Sequence, residues 1–336
     1  MKETRKNRKR AEGKGINALP LYVLIVVMFA LYILFQRSPN LSALFGIALF
    51  LLIIITIIIE IGGSVKEEGV MRSIVELVIA VAIVLVFWFG LKFALNTPYP
   101  LNVVPTCSML PVLHRGDLVA IDGVSSVSQL HAPIVNVSGQ EWNATLRNFS
   151  SEFLTCVAYN ASSGSVSSIY RSGDELALYP FSGRGSVIPQ NDQGSNLIRY
   201  GCGTAQVKES NGSVFTEAYT KSITIGNTTI QGDRNNSIVV YKTIPQDYFY
   251  QLGDAYIVHR VYAIVHAGNG YYILTKGDNN PGLDIQFGNE PILFEQGNSY
   301  IEGKVVLVVP YIGYLRLIFS RQLSEPLGCN TTILHS

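Results

Sequence analysis

The sequence predicts an α+β protein: three N-terminal transmembrane helices, then a mostly β extracytoplasmic domain with a large β-rich insertion. Composition is the first indication, because 48% of the 336 residues are hydrophobic and only 15% are charged, which is too apolar for an ordinary soluble domain. The second is that the long apolar runs lie near the N-terminus. The third is that short segments rich in Val, Ile and Tyr follow them, separated by Gly, Asn and Pro.

Three apolar runs cover residues 19–35, 43–61 and 74–95. Each is close to the roughly 17–25 residues that a helix needs to cross a bilayer. The charged residues within these runs lie near their ends, so none is expected at the bilayer centre. A cleaved signal peptide is the alternative for the first run, but its apolar stretch is long and no small-x-small cleavage site follows it.

Positive charge predicts the orientation in the membrane. Residues 2–14 carry seven Lys and Arg side chains, whereas the next loop carries Arg37 and the following loop Lys66 and Arg72. Because positive loops stay inside, we expect a cytoplasmic N-terminus and, after three crossings, an outer location for everything beyond Asn96. The protein is thus predicted to be a multi-pass protein of the plasma membrane or the ER membrane.

Cysteines and glycosylation sequons agree with this topology. The predicted outer part contains all four cysteines, where disulfides persist: Cys107, Cys156, Cys202 and Cys329. It also contains eight sequons, which predict a glycoprotein: Asn136, Asn143, Asn148, Asn160, Asn211, Asn227, Asn235 and Asn330. Cys156 and Cys202 are the natural pair, although four cysteines allow three pairings. A net charge of +1 argues against a nucleic-acid partner.

The outer part divides into two kinds of sequence. Predicted strands cover residues 117–122, 237–243, 256–265, 271–276 and 304–309, with no helix-period segment competing after Asn96. Residues 123–231 are rich in Ser, Asn, Gly and Thr and too long for a simple loop, so we predict an inserted subdomain. The other predicted parts are a basic tail (1–18), a membrane anchor (19–97), a split catalytic domain (98–122 and 232–320) and a C-terminal tail (321–336).

The candidate chemistry rests on one serine, one histidine and two acids. Ser108 lies about a dozen residues beyond the third apolar run, and a serine hydroxyl needs a positioned base to become a nucleophile. His259 lies in an apolar strand and suits general-base work, while Asp278 and Asp284 flank a turn from which they can orient a histidine. Taken singly, each also fits a structural role, as a surface serine, a core histidine or turn-capping acids.

The order of the motifs is more informative than any one of them. Ser-Met-x-Pro after a membrane run is followed by Arg-Gly-Asp-Leu-Val, Ile-Val-Val-Tyr-Lys, His-Arg-Val, Lys-Gly-Asp-Asn-Asn and Gly-Lys-Val-Val with Pro-Tyr-Ile-Gly. This series resembles the type I signal peptidase family in its ER/archaeal branch, over residues 102–122 and 232–314. His259 occupies the position where the bacterial branch has a lysine base.

The resemblance implies a role for each candidate residue. Ser108 would attack the carbonyl at the end of a signal peptide, His259 would act as general base, and Asp284, with Asp278, would orient His259. The Ser108 N–H and the Thr106 hydroxyl would form the oxyanion hole. No cofactor or metal is implied, and the expected partners are preprotein signal peptides and the lipid bilayer, with accessory subunits unknown.

Several alternatives remain open at this point. Cys107 stands where family members often have glycine, so it either pairs with Cys329 or is a free thiol and a rival nucleophile. His114 and Lys276 are rival bases, the latter if burial lowers its pKa. The alternative functions are a non-catalytic surface glycoprotein on a peptidase scaffold and a protease that processes a narrow set of surface proteins.

Overall fold

The computed structural model describes most of the chain. The described residues are 19–35, 39–68, 70–149, 153–160, 165–167, 175–182, 186–187, 197–295, 300–322, 324–326 and 328–334. The predicted basic tail, residues 1–18, lies outside them. The chain forms two compact units, one up to Leu91 and the other from Lys92 onward.

The first unit is helical and occupies the three predicted apolar runs. Its helices are α1 (Leu19–Leu34), α2 (Pro39–Glu68) and α3 (Val70–Ala94), the last of which ends in the second unit. α1 packs against α2, and the rings of Phe35 and Phe45 stack with their centroids 5.4 Å apart.

Only one of these helices is long and apolar enough to cross a membrane. Among the described residues, that helix is α3, over Leu77–Ala94. The apolar stretches of α1 and α2, Pro20–Leu34 and Leu44–Glu60, fall in the shorter class of 10–17 residues. A helix rises about 1.5 Å per residue, and the hydrocarbon core is about 30 Å thick. The prediction of three crossings is therefore supported for one helix, and a multi-pass topology is not supported.

The second unit is mostly β, as predicted. Its strands, in chain order, are β1 (Leu101–Val103), β2 (Leu118–Asp122), β3 (Ile134–Val137), β4 (Phe153–Asn160), β5 (Ser165–Ser167), β6 (Glu175–Ser182), β7 (Ser186–Val187), β8 (Ile198–Glu209), β9 (Val214–Ile225), β10 (Thr228–Gln231), β11 (Ile238–Lys242), β12 (Tyr256–Ala267), β13 (Gly270–Lys276), β14 (Ile292–Phe294), β15 (Ile301–Val309) and β16 (Thr331–Leu334). Its complete helices are α4 (Gly139–Phe149), α5 (Tyr248–Gln251) and α6 (Tyr314–Phe319).

These strands form three sheets. The main sheet has the order β1-β2-β15-β11-β12-β13-β14, and β3 pairs in parallel with the far end of β12. The second sheet has the order β10-β9-β8-β16, and the third β5-β4-β6-β7. Long β12 lies inside the main sheet between β11 and β13, so it is the strand best placed to hold a rigid functional side chain.

The insertion packs into the main sheet. Its strand β3 pairs with β12, and Val127 and Leu130 enter the core beneath β11 and β12. Helix α4 differs from the prediction that no helix follows Asn96. Trp142 and the partly buried Leu146, four residues apart, pack on the core. In the sequence Phe149 continues this spacing, so the i, i+4, i+7 period of an amphipathic helix was present and was missed.

The second sheet, β10-β9-β8-β16, and the main sheet share one hydrophobic core. This shared core predicts a large loss of stability when the side chain of Ile223 is truncated. Ile223 on β9 is fully buried, whereas Val214 on the same strand is 52% exposed. We expect Ile223→Ala to lower the free energy of unfolding by about 2–5 kcal/mol, because it removes buried methyl groups and leaves a cavity. Val214→Ala should change it by less than about 0.5 kcal/mol.

The measurement is urea unfolding of the full chain in detergent. One spectroscopic probe in the main sheet and one in the insertion are followed in the same experiment. Equal costs for the two variants would contradict this packing.

Candidate active site

Ser108, His259 and Asp284 form a hydrogen-bonded chain. Ser108 Oγ lies 3.0 Å from His259 Nε2, and His259 Nδ1 lies 2.7 Å from Asp284 Oδ2. His259 and Asp284 are each only 2% exposed, so water scarcely competes for their bond. In this arrangement an imidazole can accept the hydroxyl proton while the carboxylate holds the ring in place.

Asp284 Oδ2 accepts hydrogen bonds from three side chains. Besides the His259 ring, the hydroxyls of Thr275 and Tyr241 donate to it, at 2.6 and 2.9 Å. Burial by itself raises the pKa of this carboxyl, but the charge of His259 and the three hydrogen bonds outweigh burial and hold the pKa below its usual value. Burial and the Asp284 charge raise the pKa of Tyr241, so its hydroxyl remains a donor.

Three adjacent strands bring these donors to one carboxylate. β11 carries Tyr241, β12 carries His259 and β13 carries Thr275. Tyr241 pairs with Ile257, which lies two residues before His259, so the tyrosine and the histidine share one face of the sheet. Asp284 begins the 3₁₀ turn Asp284–Phe287 that follows β13. The other oxygen of Asp284, Oδ1, is buried and has no hydrogen-bond partner among the described residues.

Ser108 lies in the segment between β1 and β2, and both apolar and polar contacts hold it. Met109 and Leu113 are fully buried in a core cluster, which anchors the segment on either side of its turn. The Asn279 N–H donates to the Ser108 carbonyl at 2.7 Å. Gly277 permits this close approach, because a Cβ at that position would lie 2.7 Å from the Ser108 carbonyl oxygen.

The two predicted oxyanion donors lie beside the serine hydroxyl. Thr106 Oγ1 is 3.3 Å from Ser108 Oγ. The Ser108 N–H makes no hydrogen bond within the described part of the chain, which leaves it available to a substrate oxygen. The geometry fits an oxyanion hole, and the role of these two groups stays a prediction.

Asp278 makes a two-pronged contact with Arg260. Its two oxygens accept from Arg260 Nε at 2.8 Å and Nη2 at 2.7 Å. Arg260 follows His259 on β12, so the two side chains project from opposite faces of the strand. Asp278 forms a buried ion pair with Arg260, whereas Asp284 makes the hydrogen bond to His259, and a role for Asp278 in orienting His259 stays a prediction.

Two disulfides form, the favoured Cys156–Cys202 pair and the Cys107–Cys329 pair that the sequence left open beside a free thiol. Cys156 pairs with Cys202, and Cys107 pairs with Cys329. Cys107 therefore carries no thiolate, which removes it as a rival nucleophile. The pairing also links the residue before Ser108 to a segment far along the chain.

The two rival bases are engaged elsewhere. Lys276 Nζ donates to the Asn280 carbonyl at 2.6 Å and to Tyr219 Oη at 3.0 Å, and burial lowers its pKa to about 8. The ring of His114 lies near Asp117, with Nδ1 3.8 Å from Asp117 Oδ2. Among the described residues, neither His114 nor Lys276 is hydrogen-bonded to Ser108.

A groove of about 190 Å³ opens onto the serine. Its lining includes Thr106, Ser108 and His259, with Phe249 and Tyr256 as apolar walls. A second groove, of about 790 Å³, is lined by residues of the second sheet and of β12 and β13. Ser108 is not among its lining residues. Of these two grooves, the smaller one is therefore the one that gives access to Ser108.

Sequence reasoning missed four supporting residues. Tyr241 and Thr275 bind the Asp284 carboxylate, Arg260 binds Asp278, and Asn279 holds the Ser108 segment. All four lie in or beside the motif segments that carry the resemblance. Their place in those segments was the signal that could have marked them as candidates. Their individual partners depend on strand register, which the motifs alone do not specify.

Comparison with known proteins gives a partial match. No family model matches the chain. The signal peptidase complex catalytic subunit of Verticillium alfalfae is 36% identical over 72 residues, which are 20% of this chain and 38% of that protein. The subunit of Sclerotinia sclerotiorum is 38% identical over the same length and shares. That of Colletotrichum graminicola is 36% identical over 95 residues, 27% of this chain and 48% of that protein.

The chain spans less than half the length of these curated relatives. Over the matched region, it is similar to the catalytic subunits of signal peptidase complexes, and this supports signal peptide processing at the level of the family.

Proposed function

We propose that the chain is a serine endopeptidase that removes N-terminal signal peptides from secreted and membrane preproteins. The observation that carries the proposal is the hydrogen-bonded chain from Ser108 Oγ through His259 to Asp284, with contacts of 3.0 and 2.7 Å. The partial similarity to signal peptidase catalytic subunits supports the substrate class.

The proposed reaction follows from the contacts. Ser108 Oγ attacks the carbonyl carbon of the scissile peptide as His259 Nε2 takes its proton, and His259 then gives that proton to the leaving amine. Water then attacks the ester carbonyl as His259 Nε2 takes its proton, and His259 returns that proton to Ser108 Oγ when the acid leaves. Asp284 holds the ring with Nδ1–H directed at its own oxygen and stabilises the imidazolium that forms.

Stabilisation of the developing oxyanion is assigned to the Ser108 N–H and the Thr106 hydroxyl. Removal of one donor of this kind typically costs about 2.7–4 kcal/mol in the transition state. Thr106 Oγ1 already lies 3.3 Å from the nucleophilic oxygen, so a bound carbonyl at Ser108 would meet it without a change of the backbone.

Helix α3 supports a membrane-anchored enzyme. Ser108 follows Ala94, the last residue of α3, by 14 residues, so the nucleophile stays tethered near one end of a helix that can span a bilayer. A signal peptide is itself held in the membrane before cleavage, and the tether would keep enzyme and substrate at the same surface. The proposed location is the plasma membrane or the ER membrane, with the second unit on the outer or lumenal side.

Loss of the Ser108 hydroxyl should abolish cleavage. We expect Ser108→Ala to lower the rate at least about 10³-fold, because Ser108 Oγ is the hydroxyl bonded to His259 Nε2. The measurement is conversion of a radiolabelled preprotein to its mature size by membranes carrying each variant, with Ser128→Ala as the control at an exposed serine.

Equal cleavage by wild type and Ser108→Ala would remove Ser108 as the nucleophile. If folded wild-type protein cuts no general preprotein, the non-catalytic glycoprotein and narrow-substrate alternatives gain instead.

His259 and Lys276 should separate clearly as candidate bases. We expect His259→Ala to lower the rate constant of cleavage about 10²–10⁴-fold, the usual range for a general base. Lys276→Met should stay within about 10-fold of wild type, because Lys276 Nζ donates to Asn280 and Tyr219 and not to Ser108. The measurement is a single-turnover time course at saturating enzyme, and a larger loss for Lys276→Met than for His259→Ala would reverse the assignment.

The ionised Asp284 should stabilise the fold in a pH-dependent way. Its folded-state pKa is below the unfolded value of about 3.9, so its stabilising effect is present above that pH and is lost as pH falls through the folded value. We expect the advantage of wild type over Asp284→Asn in the free energy of unfolding to shrink as the pH falls below about pH 4.

Urea unfolding of both proteins at several pH values measures this advantage. An advantage that grows as the pH falls would contradict the assigned sign of the pKa shift.

A further inference from the structure

A short segment far along the chain reaches the nucleophile. We call residues 328–334 the strap. Cys329 of the strap is bonded to Cys107, the residue immediately before Ser108, although the two cysteines are 222 positions apart. Gly328 of the strap also lines the groove that opens onto Ser108 and His259.

One side chain, that of Asn279, joins the strap to the serine segment. Asn279 Nδ2 donates to the Cys107 carbonyl at 3.1 Å and to the Thr331 carbonyl at 2.9 Å, and its Oδ1 accepts from the Ile333 N–H at 2.8 Å. Its own backbone N–H donates to the Ser108 carbonyl. Asn279 therefore bonds both sides of the disulfide and the nucleophile's backbone.

The strap is in turn fixed to the second sheet. Its residues Thr331–Leu334 form β16, which pairs with β8 from Gln206 to Glu209. The Ser210 N–H donates to the Asn330 carbonyl at 2.8 Å, just beyond the end of that pairing. A continuous set of bonds thus runs from the second sheet through the strap to Cys107, the residue before Ser108.

We infer that the strap, held by the Cys107–Cys329 disulfide and by Asn279, positions Ser108, and that thiol–disulfide exchange at this bond controls the protease. This inference rests on the proposed function. His259 projects from a strand inside the main sheet, and donors from three of its strands hold Asp284, whereas Ser108 comes from a turn segment between β1 and β2. Its distance from His259 Nε2 is set by the bonds that hold that segment. Misplacement of a reacting group by about 1 Å can cost roughly 10²-fold in rate.

The controlling step is a two-electron reduction. A dithiol such as dithiothreitol transfers two electrons and two protons to the disulfide, the S–S bond breaks, Cys107 and Cys329 become thiols, and the reagent closes to its cyclic disulfide. Cys329 is the more exposed of the two half-cystines, which gives a thiolate a route to the bond. Reoxidation restores the bond and, by this inference, the rate.

The second disulfide supplies a matched control. The full-length Cys156→Ala/Cys202→Ala protein keeps Cys107–Cys329 as its single reducible bond, and Cys107→Ala/Cys329→Ala keeps the other. Single-turnover cleavage of a radiolabelled preprotein at saturating enzyme reports the chemical step and is insensitive to an inactive fraction. We expect dithiothreitol to lower this rate constant roughly 100-fold in Cys156→Ala/Cys202→Ala, reversibly, and to leave Cys107→Ala/Cys329→Ala at a constant low rate.

Asn279→Ala tests the same positioning with both disulfides intact. We expect its rate constant to fall roughly 10–100-fold, with KM and the shape of the pH–rate profile unchanged, because the contacts of His259 with Asp284 are not altered. A merely structural role would lower the fraction of active enzyme and the thermal midpoint while leaving the rate constant at saturation as in wild type.

An unchanged rate constant in reduced Cys156→Ala/Cys202→Ala and in Asn279→Ala would overturn the inference and leave the proposed function standing. Failure of the proposed function looks different, because wild type would then show no Ser108-dependent cleavage in either redox state, and the inference would fall with it.

Discussion

A buried, ionised carboxylate is the constraint on which the second unit depends. Removing a charge from water is costly unless other groups replace the lost hydrogen bonds, and Asp284 is only 2% exposed. Its Oδ2 regains three bonds, one each from a residue of β11, β12 and β13. A one-residue slip in either strand pairing would turn a donor to the other face. The chemistry and the register of the main sheet are therefore one requirement.

Much of the candidate site was predictable because its motifs follow one another in a distinctive order along the chain. A serine after an apolar helix, a histidine in a strand and an acid after the next strand define the reactive set without coordinates. The choice between Asp278 and Asp284 was not predictable. Both lie in one turn, and the difference arises from Arg260, whose side chain projects from the face of β12 opposite to His259 and binds Asp278. Side-chain alternation along a strand decides it, and the motif pattern does not contain the strand partner.

The fold was predictable where periodicity is strong and less so where several weak contacts combine. The strands of the main sheet follow their Val- and Ile-rich segments closely. Apolar length alone overestimated the membrane crossings, since α2 continues past its apolar stretch into a charged end. The insertion was predicted as a β-rich subdomain, and its contacts with the main sheet, strand pairing through β3 and core packing through Trp142, were not part of that prediction. Such contacts join residues distant in sequence, and no local pattern reports them.

The 222-residue spacing of Cys107 and Cys329 also sets an order of assembly during biosynthesis. Ribosomes add about 5–20 residues per second, so roughly 10 to 45 s separate the synthesis of the two cysteines. During that interval Cys107 has been made, whereas its partner Cys329 has not. The nascent chain therefore carries Ser108 without the bond that later fixes the residue before it. Closure of this bond consequently needs an oxidant that acts after Cys329 has been made.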